Sequence, residues 1–208
     1  MAGVTATEGV ARTEGHRRYL RKREERKDGI RTFLQEAFSE RTDLTLEIGC
    51  GHGHYLTAYA EQHPHKTCLG IDIVSKRIRK ANQKKAKRGL HRLWFLKAEV
   101  SELLECWPEY LRLEQVFILF PDPWPKKRHI KNRILQTELL DTLARIASPG
   151  ALLHFRTDDP DNYEWGRSLV AHHPYWRIRP DLEWPLENPS FFQELLGVHE
   201  SLTASLSD

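Results

Sequence analysis

Five short apolar runs, separated by longer stretches of helical periodicity, constrain this chain more than any other feature. The runs are LTLEIG at 44–49, TCLGIDI at 67–73, RLWFLKA at 92–98, QVFILF at 115–120 and GALLHFRT at 150–157. Between them, helices are expected over 55–62, 75–88, 101–110, 134–146 and 161–171, with Gly89 as the stop of the second. An earlier helix over 29–38 is expected from Ile30, Phe33, Leu34 and Phe38, whose spacing sets one apolar face. Strands and helices that alternate in this way specify a doubly wound α/β fold with a mostly parallel sheet. Ligands of such folds sit beyond the carboxyl ends of the strands. The 208 residues suffice for one domain with a full-sized core, preceded by a polar arm.

The charge pattern narrows the partners. A mean hydropathy of -0.60 with 29% charged residues describes a heavily solvated surface. No run approaches a membrane span, and the first forty residues lack the apolar core of a signal peptide, so a cytoplasmic protein is expected. The three cysteines, Cys50, Cys68 and Cys106, fall in no metal-ligand spacing and are expected to be small buried apolar residues. Net charge is only +3, yet three stretches, 12–27, 76–88 and 126–133, are strongly basic. Each is either a solvated helix face or part of a surface for a polyanion.

The first run ends in LEIGCGHGHY, where Gly49, Gly51 and Gly53 allow a tight turn and close approach of backbone to a ligand. A dinucleotide fingerprint needs its third glycine at position 54, which is His54, so a ligand without a pyrophosphate is expected. The second run ends at Asp72, suited to accept hydrogen bonds from both hydroxyls of a ribose. Glu99 follows the third run as a partner for an adenine amino group, and Glu47, beside the glycines, is placed to face a positive sulfonium or amino group. Asp72 as a turn residue and Glu99 as a helix cap are the plain alternatives. The order of these residues on successive strands favours an S-adenosylmethionine site. His52 and His54 receive no role.

The fourth run leads into FPDPWPKKRHIKNR at 120–133. Pro121 and Pro123 restrict the backbone on both sides of Asp122, and Trp124 offers a flat face on which a base stacks. Together with LEIGCGHG at 46–53, LGID at 69–72 and RTD at 156–158 followed by Tyr163, this stretch resembles the bacterial tRNA (guanine-N7)-methyltransferases, which modify guanosine 46 in the variable loop of tRNA. The resemblance covers roughly residues 40–170. It implies a class I S-adenosylmethionine-dependent methyltransferase domain, Rossmann-like, over 41–208, behind a basic N-terminal arm and helix over 1–40. It also implies tRNA as partner, with neither a membrane nor a protein partner indicated.

By that resemblance Glu47, Asp72 and Glu99 match cofactor-binding positions, beside Gly49, Gly51 and Gly53 of the turn, and Asp122, Lys126 and Asp158 match substrate or catalytic positions. Asp122 is taken as the catalytic residue and Asp158 as substrate-binding, with the division of roles between the two open. From their charge Lys126, Arg128, Lys131 and Arg133 are expected to neutralise tRNA phosphates, with the N-terminal arm and the helix at 76–88 as secondary contacts. No metal is implied. Three departures stand out: Asp72 replaces a customary glutamate, KAEV with Glu99 replaces an N-x-D-A sequence, and SFFQ at 190–193 replaces T-x-x-E. The chain after Gly197 is also short for the closing strand of such a sheet. A catalytically weak tRNA-binding relative and a methyltransferase for a small-molecule or protein acceptor therefore stand as alternatives.

Overall fold

The computed structural model describes residues 6–186 and 198–207, and within it the five apolar runs lie side by side. They form β1 (Thr42–Ile48), β2 (Thr67–Asp72), β3 (Leu93–Lys97), β4 (Leu111–Leu119) and β5 (Ala147–Thr157), each pair parallel. Two further strands, β6 (Trp176–Ile178) and β7 (Glu200–Leu206), complete a seven-stranded sheet of order β3-β2-β1-β4-β5-β7-β6. β7 runs antiparallel to both of its neighbours. The chain starts mid-sheet at β1, winds outward to β3, then returns to place β4 against β1 on the other side. The direction of winding reverses between β1 and β4, so a crevice opens above their carboxyl ends.

Among the described residues six α-helices cover the sheet: α1 (Ala6–Ala37), α2 (His54–Gln62), α3 (Ser75–Lys87), α4 (Val100–Glu105), α5 (Thr137–Ile146) and α6 (Pro160–His172). Because successive side chains of a strand point to opposite faces, β1 sends Leu44, Leu46 and Ile48 into a core shared with Leu34 of α1, Leu103 of α4 and Leu140 of α5. Across the sheet, Phe117 of β4 and Phe95 of β3 pack against Tyr55, Leu56 and Tyr59 of α2 and Ile78 of α3.

Four local features differ from the sequence reading. Helix α1 begins at Ala6 rather than near Gly29. Ile30, Leu34 and Phe38 are buried as the periodicity requires, but ion pairs rather than an apolar stripe support the turns before them. Arg21 pairs with Glu25 at 3.6 Å and Lys27 with Glu24 at 3.0 Å, while Arg26 donates through Nε to both carboxylate oxygens of buried Glu102 on α4 at 3.0 and 3.1 Å. Helix α4 stops at Glu105 rather than continuing to Tyr110, because Pro108 removes a donor and disfavours helical geometry at Trp107. Strand β4 starts at Leu111, four residues earlier than its apolar run, by pairing with Thr42 and Asp43 before a bulge. The chain after Gly197 is also long enough to close the sheet, for β7 inserts between β5 and β6 with Leu202 and Ala204 in the core.

A buried polar chain locks that insertion. The Tyr59 hydroxyl donates to Gln115 Oε1 at 2.6 Å, and Gln115 Nε2 then donates to His154 Nε2 at 2.7 Å. His154 Nδ1 lies 3.1 Å from Thr203 Oγ1 of β7, so the imidazole is the neutral tautomer protonated at Nδ1. Burial and the nearby Arg156 guanidinium push its pKa down to about 3. If β7 belongs to the core, Leu202→Ala should lower the unfolding free energy by about 2 to 5 kcal/mol in denaturant titration. A loss below about 0.5 kcal/mol, the scale of a surface substitution, would show β7 to be peripheral.

Candidate functional site

The glycine turn is built by backbone chemistry. Gly49, Gly51 and Gly53 have φ of 76°, 54° and 68°, and this alternation of left-handed residues coils the chain between β1 and α2. The amides of Gly49 and Cys50 both donate to the Ile71 carbonyl at 2.9 Å, which ties the turn to the end of β2. At Gly53 a side chain is excluded twice over, since a Cβ would also stand 2.6 Å from the Phe95 ring and 2.8 Å from Ala81 Cβ.

Asp72 closes the arrangement. It is buried, with Oδ1 accepting from the Val74 amide at 2.7 Å and Oδ2 from the Gly51 amide at 3.1 Å. Arg77, in the first turn of α3, reaches Oδ2 at 3.4 Å. This carboxylate is thereby fixed in a cleft whose lining includes Gly49, Asp72, Ile73, Glu99, Phe120 and Asp122. Glu99 stands at the start of α4, exposed, with Oε1 accepting from Ser101 Oγ at 3.0 Å. Ile73, 66% exposed, presents an apolar face to the cleft.

Glu47 lies beneath the turn. It is fully buried, and its Oε2 has no hydrogen-bond partner among the described residues. Burial pushes its pKa up to about 8, opposed by the Leu56 amide and reinforced by Asp72. Asp72 on the cleft as an acceptor for hydroxyl groups, with an orphaned buried carboxyl at Glu47, one residue before the lining residues Ile48 and Gly49 but not itself in the lining, fits a ligand that carries a ribose and a positive charge. Among the described residues no cluster of His, Cys, Asp and Glu is arranged to hold a metal ion, and no helix is long and apolar enough to cross a membrane. Cys50, Cys68 and Cys106 are free and buried.

The loop after β4 is strained at two points. Phe120 and Trp124 have φ of 47° and 45°, a region disfavoured for side chains of their size, and they bracket Pro121, Asp122 and Pro123. The Phe120 amide donates to the Arg156 carbonyl at 2.8 Å on one side. Arg133 clamps the other, with Nε donating to the Pro123 carbonyl at 2.8 Å and a terminal nitrogen to the Asp161 carbonyl at 3.1 Å. Asp122 is thus an exposed carboxylate on a rigid mount.

Of the four cations expected at RNA phosphates, Lys126, Arg128 and Lys131 are exposed on and beside the short 3-10 helix Lys127–Asn132. Arg133 departs from them. It is buried, 5.8 Å over the Trp165 ring, and its donors serve backbone carbonyls that only the folded chain brings within reach. Asp158, exposed past the end of β5, is not part of the cleft lining, which Asp122 reaches from β4. The structure brings Gly49, Asp72, Glu99 and Asp122 together around one cleft and adds Arg77 and Ile73, which the sequence reading missed. Arg77 had a signal in its place one helical turn past a strand-end acid. The segment 190–193 lies outside the described residues.

Comparison with known proteins supplies the context for this geometry. The model of a family described as "Putative methyltransferase" matches residues 41–195. A tRNA (guanine-N(7)-)-methyltransferase of Rhodospirillum rubrum is 32% identical over 73% of this chain and 56% of its own length. One of Alkalilimnicola ehrlichii is 36% identical over 72% and 61%, and one of Syntrophotalea carbinolica 36% identical over 65% and 57%. The chain thus spans about three fifths of the length of these curated relatives. Among solved structures, an rRNA methylase from Streptococcus thermophilus superposes with a TM-score of 0.55 at 12% identity, over 86% of this chain and 94% of that one. A SAM dependent methyltransferase from Aquifex aeolicus does so with 0.55 at 18% identity, over 85% and 89%. Both show the same fold as this chain, a class I, Rossmann-like methyltransferase sheet.

The buried carboxyl gives a test of the site. With its pKa raised from 4.5 to about 8, Glu47 contributes stability that is complete below 4.5 and is lost as pH rises through about 8. His154, depressed from 6.5 to about 3, acts in the opposite direction and only below 6.5, which leaves the window from 6.5 to 8 to Glu47. Unfolding free energy of the ligand-free protein should fall across that window by up to about 1.4 kcal/mol per pH unit. Glu47→Gln should abolish the fall, and equal slopes in mutant and wild type would mean that Glu47 is ionised in the free protein.

Proposed function

The chain belongs to this methyltransferase family, and from that premise we propose that it transfers a methyl group from S-adenosylmethionine to N7 of guanine 46 in the variable loop of tRNA. The observation that carries the reading is Asp122: a rigidly mounted, exposed carboxylate at one side of the cleft that Asp72 and Gly49 line from the other, followed within a few residues by three exposed cations. The names of the relatives agree with it.

When bound, S-adenosylmethionine supplies an electrophilic methyl group on a positive sulfonium. Asp72 accepts hydrogen bonds from the ribose hydroxyls, with the Gly51 amide and Arg77 orienting its carboxylate. Glu99 takes the adenine amino group, and Glu47 answers the positive charge of the methionine end. Guanine N7 carries an in-plane lone pair and needs no deprotonation, so the site requires alignment and negative charge rather than a general base. Asp122 provides that charge beside the purine as positive charge moves onto it, and Asp158 adds a second carboxylate from the next strand. Lys126, Arg128 and Lys131 neutralise phosphates and set the orientation of the tRNA, while Arg133 holds the loop that carries Asp122. Such a reaction belongs in the cytoplasm.

Incubation with labelled S-adenosylmethionine and bulk tRNA from a strain lacking the modification should give label in 7-methylguanosine at position 46. Label on another acceptor, or none, would overturn the reading. Asp122→Asn keeps the shape and removes the charge, so it should lower the methylation rate by about 10²-fold or more with cofactor affinity unchanged. Wild-type turnover in that mutant would reduce Asp122 to a turn residue. Neutralising Lys126, Arg128 and Lys131 together should weaken tRNA binding and flatten the plot of log affinity against log salt by roughly 0.7 to 0.9 per lost phosphate contact.

A further inference from the structure

The cations of α3 are arranged unlike those of α1. Helix α3 carries seven Lys or Arg residues and no acidic one. Lys84, Lys85 and Lys87 sit in its last turn, where the helix dipole favours them, but Lys76, Arg77, Arg79 and Lys80 lie in the first half, where the dipole opposes them. In α1, by contrast, Arg21, Arg23, Arg26, Lys27 and Arg31 all face carboxylates. Arg17, Arg18 and Lys22 of α1 have no carboxylate partner among the described residues either, so ion pairing explains the half of α1 that meets α4 and leaves the centre of α3 unexplained.

The positions three and four apart, Arg77, Lys80, Lys84 and Arg88, form one stripe that runs along the glycine turn. Lys84 Nζ donates to the His52 carbonyl at 2.9 Å, and the His52 and His54 rings sit edge to face at 6.2 Å in the same turn. Among the described residues, carboxylates pair with the stripe only at its two ends, where Arg77 meets Asp72 and Arg88 meets Glu61 at 2.5 Å. Among the same residues no carboxylate forms an ion pair with Lys80, Lys84, His52 or His54 at its centre. Burial first, and then Lys80, Lys84 and Arg77 against a small opposing effect of Asp72, hold the His52 pKa down; burial, Lys84, His52 and Arg88 do the same to His54. Burial, Arg88 and Lys80 push Lys84 down to about 8. The fold tolerates a concentration of like charge that destabilises it, as expected of a surface completed by an anionic partner.

The sheet order sets this stripe beyond β2, on the far side of the cleft from the cation loop that follows β4. We propose that Lys80, Lys84, His52 and His54 form a second contact surface for the phosphodiester backbone of RNA, so that the substrate spans the cleft, held by Lys126, Arg128 and Lys131 on one side and by the α3 stripe on the other. The inference rests on the reading of tRNA as substrate. It adds two histidines to the RNA surface, and makes the roof of the glycine turn a site of contact with the nucleic acid.

The test measures tRNA affinity as a function of salt for wild type, for Lys80→Gln with Lys84→Gln, for His52→Gln with His54→Gln, and for the triple neutralisation of Lys126, Arg128 and Lys131. The lysine pair should flatten the log–log slope by roughly 0.7 to 0.9 for each phosphate lost. The histidine pair should weaken binding near pH 6 more than near pH 8, because only protonated imidazole attracts phosphate. Cofactor affinity, measured on every variant, shows that the glycine turn is intact. In the wild type, proton NMR should show the His52 and His54 pKa values rising when tRNA is added. Unchanged slope in the lysine pair and unshifted histidines, beside a flattened slope in the triple variant, would overturn the stripe and leave the substrate reading standing. Wild-type protein that fails to bind tRNA, or that binds anionic lipid vesicles equally tightly, would overturn both.

Discussion

Asp72 does more for this fold than present a carboxylate to a ligand. One oxygen takes the Val74 amide and so turns the chain from β2 into α3, while the other takes the Gly51 amide and pins the glycine turn from the neighbouring strand. The carbonyl of Ile71, one residue earlier, receives two more amides from the same turn. The positions of Gly49 and Gly51, and of Arg77 at the start of the stripe on α3, all follow from this junction. Removal of the carboxylate would therefore disturb the turn and the helix start together, and not just the ligand contacts of one side chain.

On the other flank, rigidity comes from clamps on the backbone. The strained turn around Asp122 has no glycine at its two left-handed positions, and its geometry persists because Arg156 and Arg133 hold it from both sides. This is the usual economy of a site on a loop: rarely populated backbone is tolerated where the surrounding structure over-determines it. The two halves of the cleft are thus built differently, one by amides around a buried acid and the other by an arginine lodged between loop and helix.

The sequence reading succeeded where information is local and failed where it is not. The apolar runs of β1, β2, β3 and β5 are readable because burial on both faces of a central strand demands continuous apolar character. That Gly49, Asp72, Glu99 and Asp122 gather around one cleft is readable because they stand at or just past strand ends that the fold must bring together. Arg133 was misread because its partners, the carbonyls of Pro123 and Asp161, are 10 and 28 residues away in the chain. Helix α1 was cut short because its support is ionic rather than periodic. Strands β6 and β7 carry weak patterns of their own, since three and seven residues gain their stability from pairing with a sheet already formed.

The place of β7 has a consequence for how the domain comes into being. It follows β5 and β6 in the chain, yet it lies between them in the sheet. Until it arrives, β5 presents an open edge of unpaired amides and carbonyls, and β6 has no sheet to join. Residue pairs such as Phe155 and Leu202 close loops of many residues, which slows their formation. A nascent chain therefore passes through an interval with an incomplete sheet, in which β5 is free to pair with another molecule. Arrival of β7 ends that interval by covering the β5 edge, and the His154–Thr203 contact adds a buried polar tie between the two strands.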